Sequence, residues 1–577
     1  MQVSRAGDGH NPNPQSTIHN PQSAIRNPQS LQFPVPSSLA SRAQQAVQRA
    51  IGTARHPAAA VGAGIFASRI LGLLRVRAFS HFFGLQSDAA DAFNAAFRIP
   101  NLLQNLFGEG ALSGSFIPVY AGLRARQRAA EAAQMARTIF AIVALVVSLL
   151  SLGGLLGASW VVAVLAPGFS GEKRELTIAL VRVLFPGAGV LVLSAWCLGV
   201  LNVHGRFFLS YAAPIAWNVA MIATLVTFGP GRPLPTLAIY LAWGSVVGSI
   251  AQFAVQARQA WGLSSGGAAI ALTAPVRDAV RNFGPVMASR GAVQFSAYID
   301  TVIASLLPTG AVTGLTNAQL LYTLPVSLFG ISISSAALPS ISADAHADDA
   351  KERVRARVAA NARRIAYFVV PSAVSFLLLG DVLAAALLQT GRFTAADSTY
   401  VWGILAGSAI GLVASTQSRL FGVAHFAMSD TKTPFRFTLV RLTAGTILGY
   451  GGAVWLPGAL RLDPKWGAAG LTAAGGVAGW IELWLLRASL RRRVGEVTPP
   501  FSFAARLWGV ALVAGGTSRL LYFAAPRMAP LFAGALILPL FAGLFLAGTR
   551  LLGIGFAGRE AGRERSRDET AVGTRQQ

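Results

Sequence analysis

From residue 57 onward the chain alternates between long apolar runs and short breaks that are polar and often rich in Arg and Lys. The runs fall at 58–84, 90–122, 137–165, 176–200, 209–229, 236–257, 280–307, 312–341, 364–389, 398–426, 434–456, 466–487, 503–524 and 529–553. About twenty apolar residues let an α-helix cross the hydrocarbon of a bilayer, and a helix satisfies its own backbone polar groups there. The pattern predicts an all-α polytopic membrane protein with about 14 transmembrane helices. Prolines inside the runs, such as Pro214 and Pro325, each remove a helical hydrogen bond and predict kinks.

The breaks differ in charge by turns. One alternate set holds Arg124, Arg126 and Arg128, then Arg258, Arg277 and Arg281, the stretch from Lys351 to Arg364, Arg487 to Arg493, and the tail from Arg559. With the N-terminal arm this set carries roughly thirty basic residues and the other set fewer than about ten, which predicts that both termini are cytoplasmic. An even number of crossings follows.

Residues 1–56 follow another pattern. NPQSTIH, NPQSAIR and NPQS repeat in tandem, a Pro/Gln/Asn/Ser composition that cannot bury a core and predicts a disordered extension dispensable for function. It has no apolar stretch of the kind a cleavable signal needs. The expected division is therefore this extension at 1–56, helices one to six at 57–260, helices seven to twelve at 277–490, a last helical pair at 500–555 and a basic cytoplasmic tail at 556–577.

Composition agrees: 53% of residues are hydrophobic and 12% charged, too little charge to cover a water-soluble surface. The net charge of +25 suggests nucleic acid, but the basic residues are spread over alternate loops instead of gathered on one face, so no nucleic-acid partner is expected. The lone cysteine, Cys197, lies in an apolar run and reads as a packing residue. His81, His204, His346 and His425 lack metal-ligand spacing, and no phosphate-binding G-x-x-x-x-G-K-[ST] loop occurs, so neither a metal nor a nucleotide-driven pump is expected. With outer loops of about ten residues, there is no room for the extramembrane catalytic domain of a membrane enzyme.

Candidate chemistry then rests on polar groups at membrane depth, which are costly to place there. The first run carries Arg69, Arg75 and Arg77; Arg69 and Arg75 lie about 120° apart around a helix and could flank one cavity. The second adds Asp91, Arg98 and Glu109, and the seventh Arg290, Gln294 and Asp300. Pairing between helices is the structural alternative for the acids. Arg182, Arg419 and Arg441 lie nearer run ends, where snorkelling to the interface accounts for them. Arginines facing an interior suit a phosphate-bearing substrate, which accepts bidentate contacts.

The stretch Ser68–Tyr120, with its SRILGLLR opening, DAFNAAFRIPNLL and EGALSGSFIPVY, resembles the opening of the MurJ/MviN family, bacterial lipid II flippases of the MATE-like superfamily. APGF (166–169), APIAWN (213–218), LPVSLFGISISSAALPSIS (324–342), QTGRFTAAD (389–397) and SDTKTP (429–434) continue the match in order, over about residues 60 to 490. The resemblance implies two six-helix lobes around a cationic cavity, with two extra C-terminal helices grooved for a polyprenyl tail. It implies alternating access in the cell inner membrane, a lipid-linked peptidoglycan precursor as substrate, membrane lipids as surroundings, a monomer, and no cofactor. Coupling would be to Na+ or to the membrane potential.

Residue by residue, the resemblance implies substrate-binding roles for Ser68, Arg69, Arg75, Asp91 and Glu109. The chain departs from the family pattern at Val76, Gln104, Leu320 and Thr323, where charged residues are frequent, so its cavity is expected to be less cationic. Arg290 is the expected compensating charge, and Asp300 a candidate cation site with no evident partner set. A flippase for another polyprenyl-linked saccharide and a family member without transport remain the alternatives.

Overall fold

The structure, a computed structural model, describes residues 57–265, 269–524 and 528–555. The extension at 1–56 and the tail at 556–577 lie outside the described residues. Regular structure among the described residues is helical.

The first half comprises α1 (Pro57–Phe83), α2 (Asp88–Leu103), a π-helical stretch (Gln104–Leu112) leading into α3 (Ser113–Ala125), α4 (Ala129–Leu156), α5 (Ala158–Leu165), α6 (Gly171–Val203), α7 (Phe207–Phe228) and α8 (Leu234–Leu263). The second half comprises α9 (Ala274–Ser305), α10 (Ala311–Pro325), a π-helical stretch (Val326–Ile331), α11 (Ser332–Asp344), α12 (Ala350–Leu388), α13 (Ala395–Ala427), α14 (Lys432–Tyr450), α15 (Leu456–Ala459) and α16 (Gly467–Val494). A last pair, α17 (Phe501–Ala524) and α18 (Pro530–Leu551), packs on α12.

Every apolar run read from the sequence coincides with a helix, but by length and composition eleven described helices qualify to cross a membrane. The helices left out are α1, the α2–α3 rod and α9, which carry Arg69, Arg75 and Arg77; Asp91 and Arg98; and Asp300. The chain is an integral membrane protein.

Pro325 ends regular α10, and the chain widens at once into π-helical turns, as expected where a proline removes a hydrogen bond. α7 runs through Pro214 as one helix.

The apolar core has four parts. Two lie within 79–279, and one joins α12 to α17 and α18. The fourth belongs mainly to the second half but takes in Leu85, Ala95, Ala166 and Phe169, so the halves share a core at one end. That end, opposite the basic loops, is called the far end below. α9 straddles the boundary drawn from the sequence. Its Val276 and Ala279 are buried with first-half residues and Phe283 packs on Phe107 at 5.8 Å, whereas Ile303 and Ala304 join the second-half core.

Candidate functional site

At the far end, Asp91 in the first turn of α2 is buried, 1% exposed, and points at the first turn of α10. Its Oδ2 accepts the backbone N–H of Gly310 at 2.8 Å; its Oδ1 accepts the N–H of Thr313 at 2.9 Å and the Thr313 hydroxyl at 2.7 Å. A helix N-terminus leaves N–H groups unsatisfied and carries partial positive charge, so the carboxylate meets both needs. Lys173 of α6 adds a full charge, its Nζ 2.9 Å from Asp91 Oδ2 and 3.2 Å from Asp88 Oδ1. The Thr309 hydroxyl donates to Asp88 at 2.7 Å.

The APGF motif gains a physical reason here. The Gly168 N–H donates to Ser305 Oγ at 3.2 Å, and a Cβ on Gly168 would lie 2.1 Å from the Ser305 carbonyl oxygen, so only glycine allows this approach. Phe169 supports Lys173, whose Nζ lies 4.4 Å from the ring centre.

A second junction mirrors the first with opposite charge. Arg77 of α1 donates through Nη1 to the carbonyls of Ala386 and Leu387, both at 2.9 Å, in the last turn of α12. A cation at a helix C-terminus satisfies orphan carbonyls and the negative pole. Beside it, His81 Nδ1 and Thr390 Oγ1 are 2.9 Å apart, and the Arg392 N–H donates to the His81 carbonyl at 2.9 Å. Gly391, at φ +54, lets the QTGRF turn press against His81. Two first-half side chains of opposite sign thus cap two second-half helices.

Below the junctions lie the arginines. Arg75 donates through Nε to Asn218 Oδ1 at 3.0 Å, and its guanidinium lies 5.5 Å from the Phe97 ring and 5.1 Å from the Trp217 ring. Asn218 donates its own amide to the Pro214 carbonyl at 3.0 Å, which turns its oxygen toward Arg75. Trp217 and Asn218 close the APIAWN motif. On α2, Arg98 donates to Gln319 of α10 at 3.0 Å, and the Tyr298 hydroxyl of α9 donates to the Arg98 carbonyl at 2.7 Å.

The predicted set is therefore only partly gathered. Asp91 belongs to a helix cap at the halves' junction and touches Lys173, not an arginine. Arg75 sits under it but is held by Asn218 and two rings. Arg69 is exposed and Ser68 half-buried on α1, and neither joins the Arg75 cluster. The side chains of Glu109, Arg290 and Gln294 lie outside the described residues, so the compensation expected of Arg290 does too.

Snorkelling does not describe Arg441. Its Nε lies 3.1 Å from Oε2 of Glu482 on α16, a carboxylate that also accepts the Thr438 hydroxyl at 2.8 Å. Asp300 is half-buried on α9, and among the described residues no three His, Cys, Asp or Glu side chains gather as a metal set. Farther out, Arg519 of α17 grips both oxygens of Asp381 on α12 at 2.6 Å. An arginine and an aspartate within apolar runs were the available signals for that pair; Glu482 was a similar signal for Arg441.

Residues 79–544 match the family model described as "Lipid II flippase MurJ". The chain belongs to that family. It is 32% identical to the lipid II flippase MurJ of Burkholderia cenocepacia over 78% of this chain and 86% of that one, and 31% identical to the probable lipid II flippase MurJ of Rhizobium tropici over 77% and 82%. The MurJ match runs beyond residue 490, where the sequence motifs end, through α17 and into α18, and it begins after Ser68, Arg69 and Arg75.

The fold agrees with a solved MurJ structure titled as an inward closed conformation, with a TM-score of 0.68 and 21% identity over 85% of this chain and 98% of that one. It also agrees with an inward-facing multidrug MATE family transporter, with a TM-score of 0.59 and 15% identity over 74% and 96%. MurJ proteins are membrane transporters rather than enzymes, and the fold is the MATE-like one.

Proposed function

We propose that this protein flips lipid II, the polyprenyl-pyrophosphate-linked peptidoglycan precursor, across the bacterial inner membrane as a monomer with both termini in the cytoplasm. The carrying observation is the position of Arg75 and Arg98 beneath a far end where Asp91 and Lys173 hold the two halves together. A carrier closed at one end and supplied with guanidinium groups below that closure can admit a pyrophosphate from the other side. Guanidinium binds phosphate oxygens in pairs, so substrate can draw Arg98 from Gln319, a neutral partner that competes weakly.

Alternation then requires the far-end junctions to open while the basic end closes. The caps suit this role because they are polar contacts between preformed helix ends, which separate without unfolding either helix. The headgroup passes between the halves while the polyprenyl tail stays in lipid beside α17 and α18. The membrane potential supplies the bias: one charge crossing the field is worth about 2.3 kcal/mol per 100 mV.

The test is reconstitution of the full chain into vesicles with labelled lipid II, with outer-leaflet label read over time. Movement of lipid II above protein-free vesicles supports the reading. Movement of another polyprenyl-linked saccharide but not lipid II would assign a different cargo, and movement of neither, beside an active control flippase, would leave a family member without transport.

A further inference from the structure

α1 and α7 touch near both ends and part between them. Toward the basic end, a Cβ on Gly64 of α1 would lie 3.6 Å from the Phe208 ring at the start of α7. At the far end, Gly229, just past α7, has no room for a Cβ against the Phe82 ring of α1. Between these contacts the Arg75–Asn218 bond closes the gap on one side only. The other side is a groove of about 670 Å³, walled by α1 from Leu71 to Phe82 and by α7 from Val219 to Val226. Leu74, Val219 and Val226 are exposed apolar residues, so the groove opens to hydrocarbon.

Its length and its chemistry both fit a lipid. Leu71 to Phe82 covers about 16 Å at about 1.5 Å per residue, roughly half of a hydrocarbon core of about 30 Å. The groove is therefore one leaflet deep. Its walls are apolar except toward the far end, where Arg77, His81 and Thr390 line it, and no acid lines it among the described residues. Arg77 directs Nη1 at the carbonyls of Ala386 and Leu387, while its Nε and Nη2 make no hydrogen bond among the described residues. Such N–H groups in apolar surroundings are costly without an acceptor, and phosphate oxygens accept guanidinium hydrogens in pairs. His81 is exposed beside them.

We propose that an anionic phospholipid of the far-end leaflet binds here, one acyl chain in the α1–α7 groove and its phosphate on Arg77 Nε and Nη2. A phospholipid chain ends within one leaflet, whereas a polyprenyl tail is far longer than the groove. The walls belong to the first half and Thr390 to the second, so the seated lipid favours the closed far end. Only that consequence rests on the flippase reading; the binding is measured without lipid II.

The test is native mass spectrometry of the purified full chain, titrated in detergent with phosphatidylglycerol or phosphatidylcholine. The first phosphatidylglycerol should bind several-fold more tightly than the first phosphatidylcholine. Ala223→Trp fills the groove from an exposed wall position and should weaken that phosphatidylglycerol several-fold. Arg77→Gln should remove the preference between the two lipids. Val247→Trp, at an exposed position of α8 outside the groove, should change neither. Equal binding of the two lipids by the wild type overturns the proposal. So does phosphatidylglycerol binding that survives Ala223→Trp, which would place the lipid on the basic loops. A polyprenyl phosphate that binds more tightly than phosphatidylglycerol, and is lost in the same variants, overturns it by giving the groove to the substrate's tail. Should Arg77→Gln not fold, Ala223→Trp decides alone. In vesicles, phosphatidylglycerol should slow maleimide labelling of Ala311→Cys several-fold relative to phosphatidylcholine alone, and Ala223→Trp should erase the difference. Equal labelling in the two vesicles overturns the role in closure. A protein that binds phosphatidylglycerol in this way but moves no lipid II counts against the flippase reading and leaves the lipid site standing.

Discussion

Asp91 Oδ1 accepts both the backbone N–H and the hydroxyl of Thr313, a residue 222 positions later in the chain, at 2.9 and 2.7 Å. One carboxylate thereby joins the halves of the transporter through the end of a helix. Hydrogen bonds to charged groups are worth about 1.5–3 kcal/mol each. Asp91→Ala should then shift the balance between closed and open far ends by a factor of about ten or more. The expected result is loss of most lipid II movement together with faster labelling, by an impermeant maleimide, of an Ala311→Cys reporter, a position buried in the closed far end. Unchanged labelling would show that this contact does not hold the far end shut.

Arg77 is the opposite half of the same closure. Arg77→Gln retains a donor but loses the charge that favours the C-terminus of α12, an interaction worth about 0.3–1 kcal/mol at exposed sites and up to about 2 when partly buried. Lipid II movement should fall several-fold, less than for Asp91→Ala, and far-end labelling should rise in step. Equal transport by Arg77→Gln and the wild type would remove Arg77 from the closure.

Much of this was legible in the sequence, for identifiable reasons. Apolar runs mark helices whatever they pack on, so each run has its helix, and eleven of the described helices are long and apolar enough to cross a membrane. Asp91 could be picked out as an unusual acid, but its role could not, because Gly310, Thr313 and Lys173 are distant in sequence. APGF, APIAWN and QTGRF were visible as motifs. Their causes needed three dimensions: Gly168 against Ser305, Trp217 and Asn218 around Arg75, and Gly391 against His81. Arg441 was misjudged because position along a helix does not reveal a carboxylate on the neighbouring one.

Arg75 tests shape apart from charge. Its flat guanidinium meets Trp217 and Phe97 while Nε holds Asn218, a combination that an ammonium cannot reproduce. Arg75→Lys should therefore lose nearly as much lipid II transport as Arg75→Ala, about tenfold, with the thermal midpoint little changed. Full activity of Arg75→Lys would mean that positive charge alone is required.

Glu496, in the loop between α16 and α17, gives a pH prediction outside the membrane. Partial burial acts to raise its pKa, but hydrogen bonds from the Thr498 hydroxyl and Arg487, with the Arg487 charge, outweigh burial and bring it from 4.5 down to about 2. A carboxylate lowered on folding adds stability that is fully present above its unfolded value and is lost as pH falls through the folded one. Glu496→Gln should lower the thermal midpoint by a constant amount from pH 8 to 5, with the difference from wild type shrinking only as pH falls from about 4.5 toward 2. A difference that already narrows between pH 8 and 6 would contradict the assignment.

The Arg519–Asp381 pair anchors α17 to α12, and it is more enclosed than a surface pair, with side chains 19% and 17% exposed. Its guanidinium also lies 4.5 Å from the Phe523 ring and 5.5 Å from the Trp402 ring, so removing either partner leaves a charge in apolar company. Asp381→Ala should destabilise more than Asp381→Ala combined with Arg519→Leu, because the double change removes the stranded guanidinium. The comparison is made by thermal unfolding of the three proteins in one detergent. If the double variant is no more stable than Asp381→Ala, the aspartate matters for a reason other than pairing Arg519.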